Sequence, residues 1–338
     1  LSTPDAQLLA LTIGDPAGIG PELVAECWRA CREDQTAPAL VVVGSSETLK
    51  AAAQTRGFAL PCRSLESVAE ARDVWPDALP VLELGSPEFA PGEPSAEGAE
   101  FALRSLETAT RLALDNEIAG VVTAPIAKDN LAAAGFRFAG QTEFFAGACD
   151  IAEEDAVMML AGPRLRTVPM TVHCALADVP RRLSVETIVR RSVIVAEAFQ
   201  TDFGIERPRL AVAGLNPHAG ENGRFGAEEI EIIVPAIAAL KERGIDVSGP
   251  HPGDALFTPR ARETYDVAIA MYHDQALIPL KALDFDEGVN VTLGLPIVRT
   301  SPDHGTAFSI AGKNLADPGA MLAAVRMASQ IAAIRQAQ

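Results

Sequence analysis

Along the first part of the chain, unbroken apolar runs alternate with segments whose apolar residues recur every three to four positions. "LLALTIG" precedes "PELVAECWRACRE", "ALVVVG" precedes "SSETLKAAAQTRG", and "IAGVVTAP" precedes "IAKDNLAAAG". The runs lack the polar alternation of a strand with one wet face, so they predict strands covered on both sides, with the helical segments as the cover. The rhythm returns later as "RLRTVPMTVHCAL", the helix "SVETIVRRSVIVAEAFQTDFG", "RPRLAVAGLNPHAG", the helix "AEEIEIIVPAIAALKERG" and "YDVAIAMYHDQ". This pattern predicts an α/β fold with a mostly parallel sheet. A closing helix is expected in "DPGAMLAAVRMASQIAAIRQAQ", with Asp317 as N-cap and Pro318 at its first position. The Pro- and Gly-rich stretch from Leu84 to Glu100, "LGSPEFAPGEPSAEGAE", reads as a loop excursion rather than a domain boundary.

Composition narrows the class. A length of 338 residues with 48% hydrophobic content allows a large α/β unit or two domains. The net charge of −17 argues against general nucleic-acid or anionic-membrane binding, since both partners require a basic surface. An anionic ligand would have to be held locally by Lys, Arg or helix N-termini. No apolar stretch reaches the roughly 18 to 20 residues of a membrane span, and the first residues lack a basic signal-peptide region, so a cytoplasmic location is expected. The five cysteines are too scattered for a disulfide framework; Cys27 and Cys31, four apart on a predicted helix, read as small core residues.

Three of the five histidines share one context. His173 follows "TVPMTV", His218 follows "LAVAGLNP" and His273 follows "VAIAMY", each just beyond a predicted strand. Ligands of open α/β sheets bind beyond the carboxyl ends of strands, so these imidazoles are candidate ligands of a divalent ion with an open catalytic position. Each alone is more often a hydrogen-bonded loop residue, and it is their shared placement that raises the metal reading. Asp254, Asp274 and Glu221 lie nearby in sequence as carboxylates able to orient an imidazole. His251, between two prolines, reads as a loop residue.

Other polar groups follow apolar runs. "LTIGDPAGIGPEL" places a glycine-rich turn before a helix, where backbone N–H groups can receive an anion, although neither dinucleotide nor P-loop glycine fingerprints occur. Lys128 in "VTAPIAKDN" and Gln141, Thr142 and Glu143 in "FAGQTEFFAG" add groups at a possible cleft. Lys281 in "LIPLKALDF" and Arg299 in "LGLPIVRTSPDHG" stand among apolar residues, as snorkelling cations or as a pair for a carboxylate or phosphate.

Taken in order, "GDPAGIGPEL", "VTAPIAK", "GQTEFFA", "LNPHAGENGRFGAEE", "AMYHDQALIPLK" and "GVNVTLGLPIVRTSPDHGTAFSIAG" resemble the 4-hydroxythreonine-4-phosphate dehydrogenase family of vitamin B6 biosynthesis over nearly the whole chain. The resemblance implies the two-domain fold of isocitrate and isopropylmalate dehydrogenases and a homodimer whose active sites use residues of both subunits. It implies a first domain of residues 1–140 plus 301–338 and a second of 141–300 carrying the metal ligands and dimer interface. It places the metal ligands on His173, His218 and His273, and the substrate contacts on Thr142, Lys281, Asn290 and Arg299. "HGTAFSIAGKNLADPGAM" is similar to the adenosine-binding segment of isopropylmalate dehydrogenases, which assigns His304, Gly305 and Asp317 to the cofactor. Where the family usually has histidine, this chain has Gln141, which can hydrogen bond to substrate but carries neither a proton to transfer nor a positive charge.

The implied activity is oxidation of 4-phosphohydroxy-L-threonine at C3 with NAD or NADP, then decarboxylation, aided by a divalent ion such as zinc, magnesium, cobalt or manganese. Lys281 and Asp254 are the candidate catalytic residues. A phospho-threonate or phospho-erythronate dehydrogenase is the near alternative. A metal-dependent hydrolase or aldolase is the distant one, and it leaves the adenosine-like segment without a use.

Overall fold

The computed structural model describes residues 7–133 and 135–338. The chain divides into two compact units, one of Leu1–Cys149 with Leu295–Ala337 and one of Asp150–Gly294 with Gln338. The first unit holds strands β1 (Leu8–Thr12), β2 (Ala39–Gly44), β3 (Cys62–Leu65), β4 (Leu79–Glu83) and β5 (Gly120–Val122). The second holds β6 (Val157–Ala161), β7 (Arg166–Pro169), β8 (Arg209–Ala213), β9 (Asp246–His251), β10 (Val267–Ala270) and β11 (Val289–Leu293). The chain then returns to the first unit as β12 (Arg299–Pro302).

Strands of the first unit are ordered β3-β4-β2-β1-β5-β12 and pair in parallel. Every residue of β1 and β2 is buried, with Leu9 opposite Leu40 and Leu11 opposite Val42. Each such leucine contributes roughly 1.5–3 kcal/mol by leaving water. The edge strand β3 exposes Arg63 and Ser64, a polar rim that discourages strand addition. Cys27 and Cys31 are buried free thiols on the helix Gly20–Cys31, as core residues, and burial pushes the Cys31 thiol up to about 11.

The stretch 84–100 is a loop only in its first part. Ser95 accepts a hydrogen bond from Gly98 N at 3.0 Å and starts the helix Ala96–Leu114, of which Ala99, Phe101, Ala102, Ala109 and Ala113 are buried. Gly92 and Gly98 masked that start, because glycine reads as a breaker. Ser105 on this helix donates to Val43 O at 2.6 Å and accepts from Ile13 N at 3.2 Å, satisfying backbone groups at the ends of two buried strands. The closing helix begins at Gly319, two residues beyond Asp317, whose carboxylate accepts from Gly319 N at 2.7 Å.

In the second unit the order is β11-β6-β7-β10-β8-β9. β6 runs antiparallel to β11 and β7, while β7, β10, β8 and β9 are parallel. Three adjacent parallel strands, β7, β10 and β8, therefore open their carboxyl ends on the same edge. β9 is an outer strand carrying Pro250, as an edge tolerates. Its Gly249, at φ +126°, sits where a Cβ would collide with Val212 O. His251 is the last residue of this strand rather than a loop residue. Among the described residues no helix is long and apolar enough to cross a membrane.

Candidate active site

His173, His218 and His273 follow β7, β8 and β10, neighbouring strands of the second unit, at their carboxyl edge. The pairing of β7 with β10 continues past the strands: Met170 N donates to Ala270 O, and Thr171 Oγ1 to Met271 O, both at 2.8 Å. These bonds carry His173 and His273 forward together, and their ring centroids lie 5.9 Å apart. Both line a cavity of about 420 Å³ with Thr171, Cys174, Tyr272 and Asp274. His273 opens the helix His273–Asp284, and its Nδ1 lies 2.7 Å from Asp274 Oδ1. Donation from Nδ1–H to that carboxylate leaves the Nε2 lone pair outward, the tautomer a metal ligand requires. Gln275 ties the neighbouring loops together, accepting from Met271 N at 2.7 Å and donating to Gly214 O at 2.8 Å.

His218 is held differently. Its backbone is left-handed at φ +55°, within a run of positive φ at His218, Ala219, Gly220, Glu221 and Asn222. Such a run in non-glycine residues is strained and needs outside support. Glu229, buried in the π-type turn Glu229–Ile233, supplies it: Oε1 accepts from Asn216 N at 2.7 Å and Oε2 from Asn216 Nδ2 at 3.0 Å. Asn216 Nδ2 also donates to Glu228 Oε2 at 2.7 Å. His173 is likewise left-handed, at φ +46°. The His218 ring packs edge-on against Phe225 at 6.0 Å. Among the described residues no three His, Cys, Asp or Glu side chains gather closely enough to hold a metal, so the His173–His273 pair stands apart from His218.

Of the carboxylates near these histidines, Asp274 touches an imidazole, whereas Glu221 is exposed and faces Arg224 at 3.4 Å. Glu221 follows His218 through a left-handed turn that aims its side chain outward. Asp254 is exposed on the short helix Gly253–Leu256, and Gly253 lies near Gln275. His251 pairs with Ser248 Oγ at 2.8 Å, and burial lowers its pKa. Lys281 is on the same helix as His273, eight residues on, which is ~12 Å along the axis. Asn290 lies on β11, and its Oδ1 is buried without a hydrogen-bond partner among the described residues.

The remaining candidates belong to the first unit. Arg299, 3% exposed at the start of β12, donates from Nη2 to Thr123 Oγ1 and to Gln141 Oε1, both at 2.9 Å. Its guanidinium lies 5.4 Å over the Phe145 ring. Burial pushes Arg299 down to about 10, which leaves it cationic at neutral pH, and Glu143 opposes the shift. Gln141 and Thr142 open the helix Gln141–Ala148 after Gly140, where a Cβ would lie 3.3 Å from Lys128 Nζ. Arg299 and Lys128 are thus cations near a helix start, in a chain that is otherwise strongly acidic.

Within the glycine-rich turn, Asp15 accepts from Ala17 N at 3.0 Å, and its burial raises its pKa. Ile19 N donates to Thr306 O at 3.0 Å, joining this turn to the segment 304–317. His304 is exposed, and its Nδ1 donates to Gly305 O at 3.1 Å. A Cβ on Gly305 would meet nothing within 4 Å, and Leu315 is 66% exposed.

The model of a family described as pyridoxal phosphate biosynthetic protein PdxA matches residues 36–328. The chain belongs to the PdxA family. This PdxA chain is 57% identical over 327 residues to the 4-hydroxythreonine-4-phosphate dehydrogenase of Erythrobacter litoralis (strain HTCC2594), covering 97% of each. Among solved structures, a 4-hydroxythreonine-4-phosphate dehydrogenase from Burkholderia phymatum matches with TM-score 0.82 and 39% identity, covering 96% of this chain and 98% of that one. A terephthalate 1,2-cis-dihydrodiol dehydrogenase from Burkholderia xenovorans LB400 matches with TM-score 0.65 and 31% identity, covering 96% and 98%.

Several residues that shape this PdxA site carry no signal in the sequence pattern. Glu229 and Asn216 brace the His218 turn, Gln275 joins two strand ends, and Thr123 shares Arg299 with Gln141, itself a candidate from the sequence. Acidic residues in a helical pattern read as solvated, and only the 3% exposure of Glu229 marks it as different.

Proposed function

We propose that this chain oxidises 4-phosphohydroxy-L-threonine at C3 with NAD or NADP and then releases CO₂, leaving 3-amino-2-oxopropyl phosphate for pyridoxal 5'-phosphate synthesis in the cytoplasm. The observation that carries the reading is 57% identity, over 97% of both chains, to a relative bearing that enzyme's name. The site chemistry agrees with it. Two imidazoles sharing a cavity, one oriented by a carboxylate, fit a divalent ion such as zinc, cobalt or manganese better than magnesium. A homodimer whose sites combine two copies would complete the ligand set of His173, His218 and His273. A divalent ion held there would supply Lewis acidity toward the substrate oxygens.

The chain's own groups account for the rest. Arg299 and Thr142, with the amide N–H of Gln141, would hold the substrate's anionic groups. The orphan Asn290 Oδ1 fits a donor such as the substrate ammonium. In oxidation, hydride passes from C3 to the nicotinamide while the hydroxyl proton goes to a base, for which Asp254 and Lys281 are the candidates. In decarboxylation the C1–C2 bond breaks, its electron pair stays on C2, and Lys281 returns a proton there. His304, Gly305 and Asp317 would lie at the adenosine.

The test is absorbance of reduced nicotinamide on mixing metal-loaded protein, NAD or NADP and 4-phosphohydroxy-L-threonine, with and without chelator. A chelator-sensitive rise with CO₂ and an aminoketone as products is expected. Silence with this substrate alongside turnover of phospho-threonate or phospho-erythronate would overturn the substrate assignment in favour of those acids.

A further inference from the structure

The segment 311–318 contains no helix or strand, yet it is fixed at two points by charged side chains from elsewhere. Gly312 N donates to Glu22 Oε1 at 2.7 Å, and Ala316 O accepts from Arg56 Nη1 at 2.9 Å. Glu22 and Glu26 lie one turn apart on the helix Gly20–Cys31, 3% and 4% exposed. Arg56 caps the helix Ser46–Thr55, and its side chain is 11% exposed. Its Nε donates to Glu26 Oε1 at 2.9 Å, and its Nη1 lies 3.9 Å from Glu22 Oε2. Arg29 engages the other oxygen of Glu26 at 2.6 Å.

Burying two carboxylates and a guanidinium is a poor route to stability, because desolvation offsets most of the attraction and apolar residues would join the two helices as well. Such a group does fix position. Here it fixes the ends of a short exposed bulge: Ala311 and Ala316 are buried, while Lys313, Asn314 and Leu315 between them face solvent. Left-handed Gly312 and Asn314 bend the bulge, and a Cβ on Gly312 would lie 2.7 Å from Pro91.

We infer that Arg56, with Glu22 and Glu26, is a positioning device that holds residues 312–316 in the shape that receives the adenosine part of the nicotinamide cofactor. This rests on the cofactor reading of segment 304–317. Arg56 touches no cofactor atom; it acts through Ala316 O, while Glu22, 3.9 Å from its Nη1, holds Gly312 N. Arg56 serves Glu26 through Nε and Ala316 O through Nη1 at once, so lysine, with one ammonium in place of a planar fork, can serve them only partly.

The experiment compares wild type, Arg56→Lys, Arg56→Met and, as control, Lys50→Gln in the whole chain. NAD and NADP affinity are measured by calorimetry without substrate, amide hydrogen exchange over 311–317 without nucleotide, and KM and kcat in turnover. Arg56→Met is expected to raise exchange in this segment, weaken the preferred dinucleotide at least tenfold and raise its KM, with kcat and substrate affinity unchanged. Arg56→Lys should fall between, and Lys50→Gln, an exposed position on the same helix, should match wild type. Unchanged exchange in Arg56→Lys overturns the bracing role, even if Arg56→Met does not fold. Raised exchange with unaltered dinucleotide affinity overturns the link to the cofactor. Wild type that binds neither NAD nor NADP sinks the cofactor reading itself, and this proposal with it.

Discussion

Replacing Glu229 with glutamine tests whether the His218 turn is held or merely tolerated. The turn keeps four non-glycine residues, His218, Ala219, Glu221 and Asn222, at positive φ, and each is disfavoured by about 1–2 kcal/mol. Glu229, at 3% exposure, answers with one oxygen on Asn216 N and the other on Asn216 Nδ2. The glutamine oxygen can replace the first contact, but its NH₂ then faces the NH₂ of Asn216. One hydrogen bond to a charged acceptor is lost, worth about 1.5–3 kcal/mol. A loss near 2 kcal/mol corresponds to about a thirtyfold fall in the equilibrium constant between intact and opened turn, at 1.4 kcal/mol per factor of ten. The urea midpoint should fall accordingly, and cobalt titration followed by its visible spectrum should show metal affinity lower by at least tenfold. Asn216→Ala should show a similar loss, and the double variant should lose much less than the sum. An unchanged midpoint together with unchanged cobalt affinity would refute the bracing argument.

Three further outcomes follow from the geometry. Asp274→Asn should weaken cobalt or zinc binding by about 10- to 100-fold with little change in melting temperature, since Asp274 is exposed and acts on His273; unchanged metal affinity removes it as the orienting group. Arg299→Lys keeps a charge but loses the double donation to Thr123 and Gln141, so KM for the phosphorylated substrate should rise about tenfold or more while the dinucleotide KM holds; equal rises in both would point to general unfolding. His251 has its pKa lowered by burial, so below 6.5 the unfolded chain takes up a proton that the folded chain resists. Stability should therefore fall as pH drops from 6.5 toward the depressed value, and His251→Gln should flatten melting temperature between pH 7 and 5; identical slopes would exclude His251 as the source.

How legible this was in the sequence depended on the kind of signal. Buried parallel strands write themselves as unbroken apolar runs, so "ALVVVG" and "VAIA" were readable, and with them the strand-end positions of His173, His218 and His273. β6 and β11, an antiparallel pair bearing Asn290, left no comparable mark, because "VMMLA" passes to β7 through a short turn and "VNVTL" interrupts its apolar residues with Asn290 and Thr292. The helix start at Ala96 was hidden by glycines that a capping serine overrides. Braces such as Glu229, Gln275 and Arg56 were invisible for a plainer reason. A charged or amide side chain declares its partner only when the chain has folded around it, and Arg56 meets Ala316 across most of the sequence.

The contact between Gln141 and Arg299 bears on acidity. Both acceptors of Arg299 Nη2, the Thr123 hydroxyl and the Gln141 amide oxygen, keep their charge unchanged through the physiological range, and the guanidinium itself holds its proton to about 10. A histidine at position 141 would titrate near 6.5 and couple this cation to the surrounding pH. With glutamine there, this contact is indifferent to a shift between pH 5 and 8. In the proposed substrate complex the phosphate would titrate in that range, passing between dianion and monoanion near pH 6. Acidification would then loosen this grip by halving the charge of the guest's phosphate, with Arg299 and its acceptors Thr123 and Gln141 unaltered.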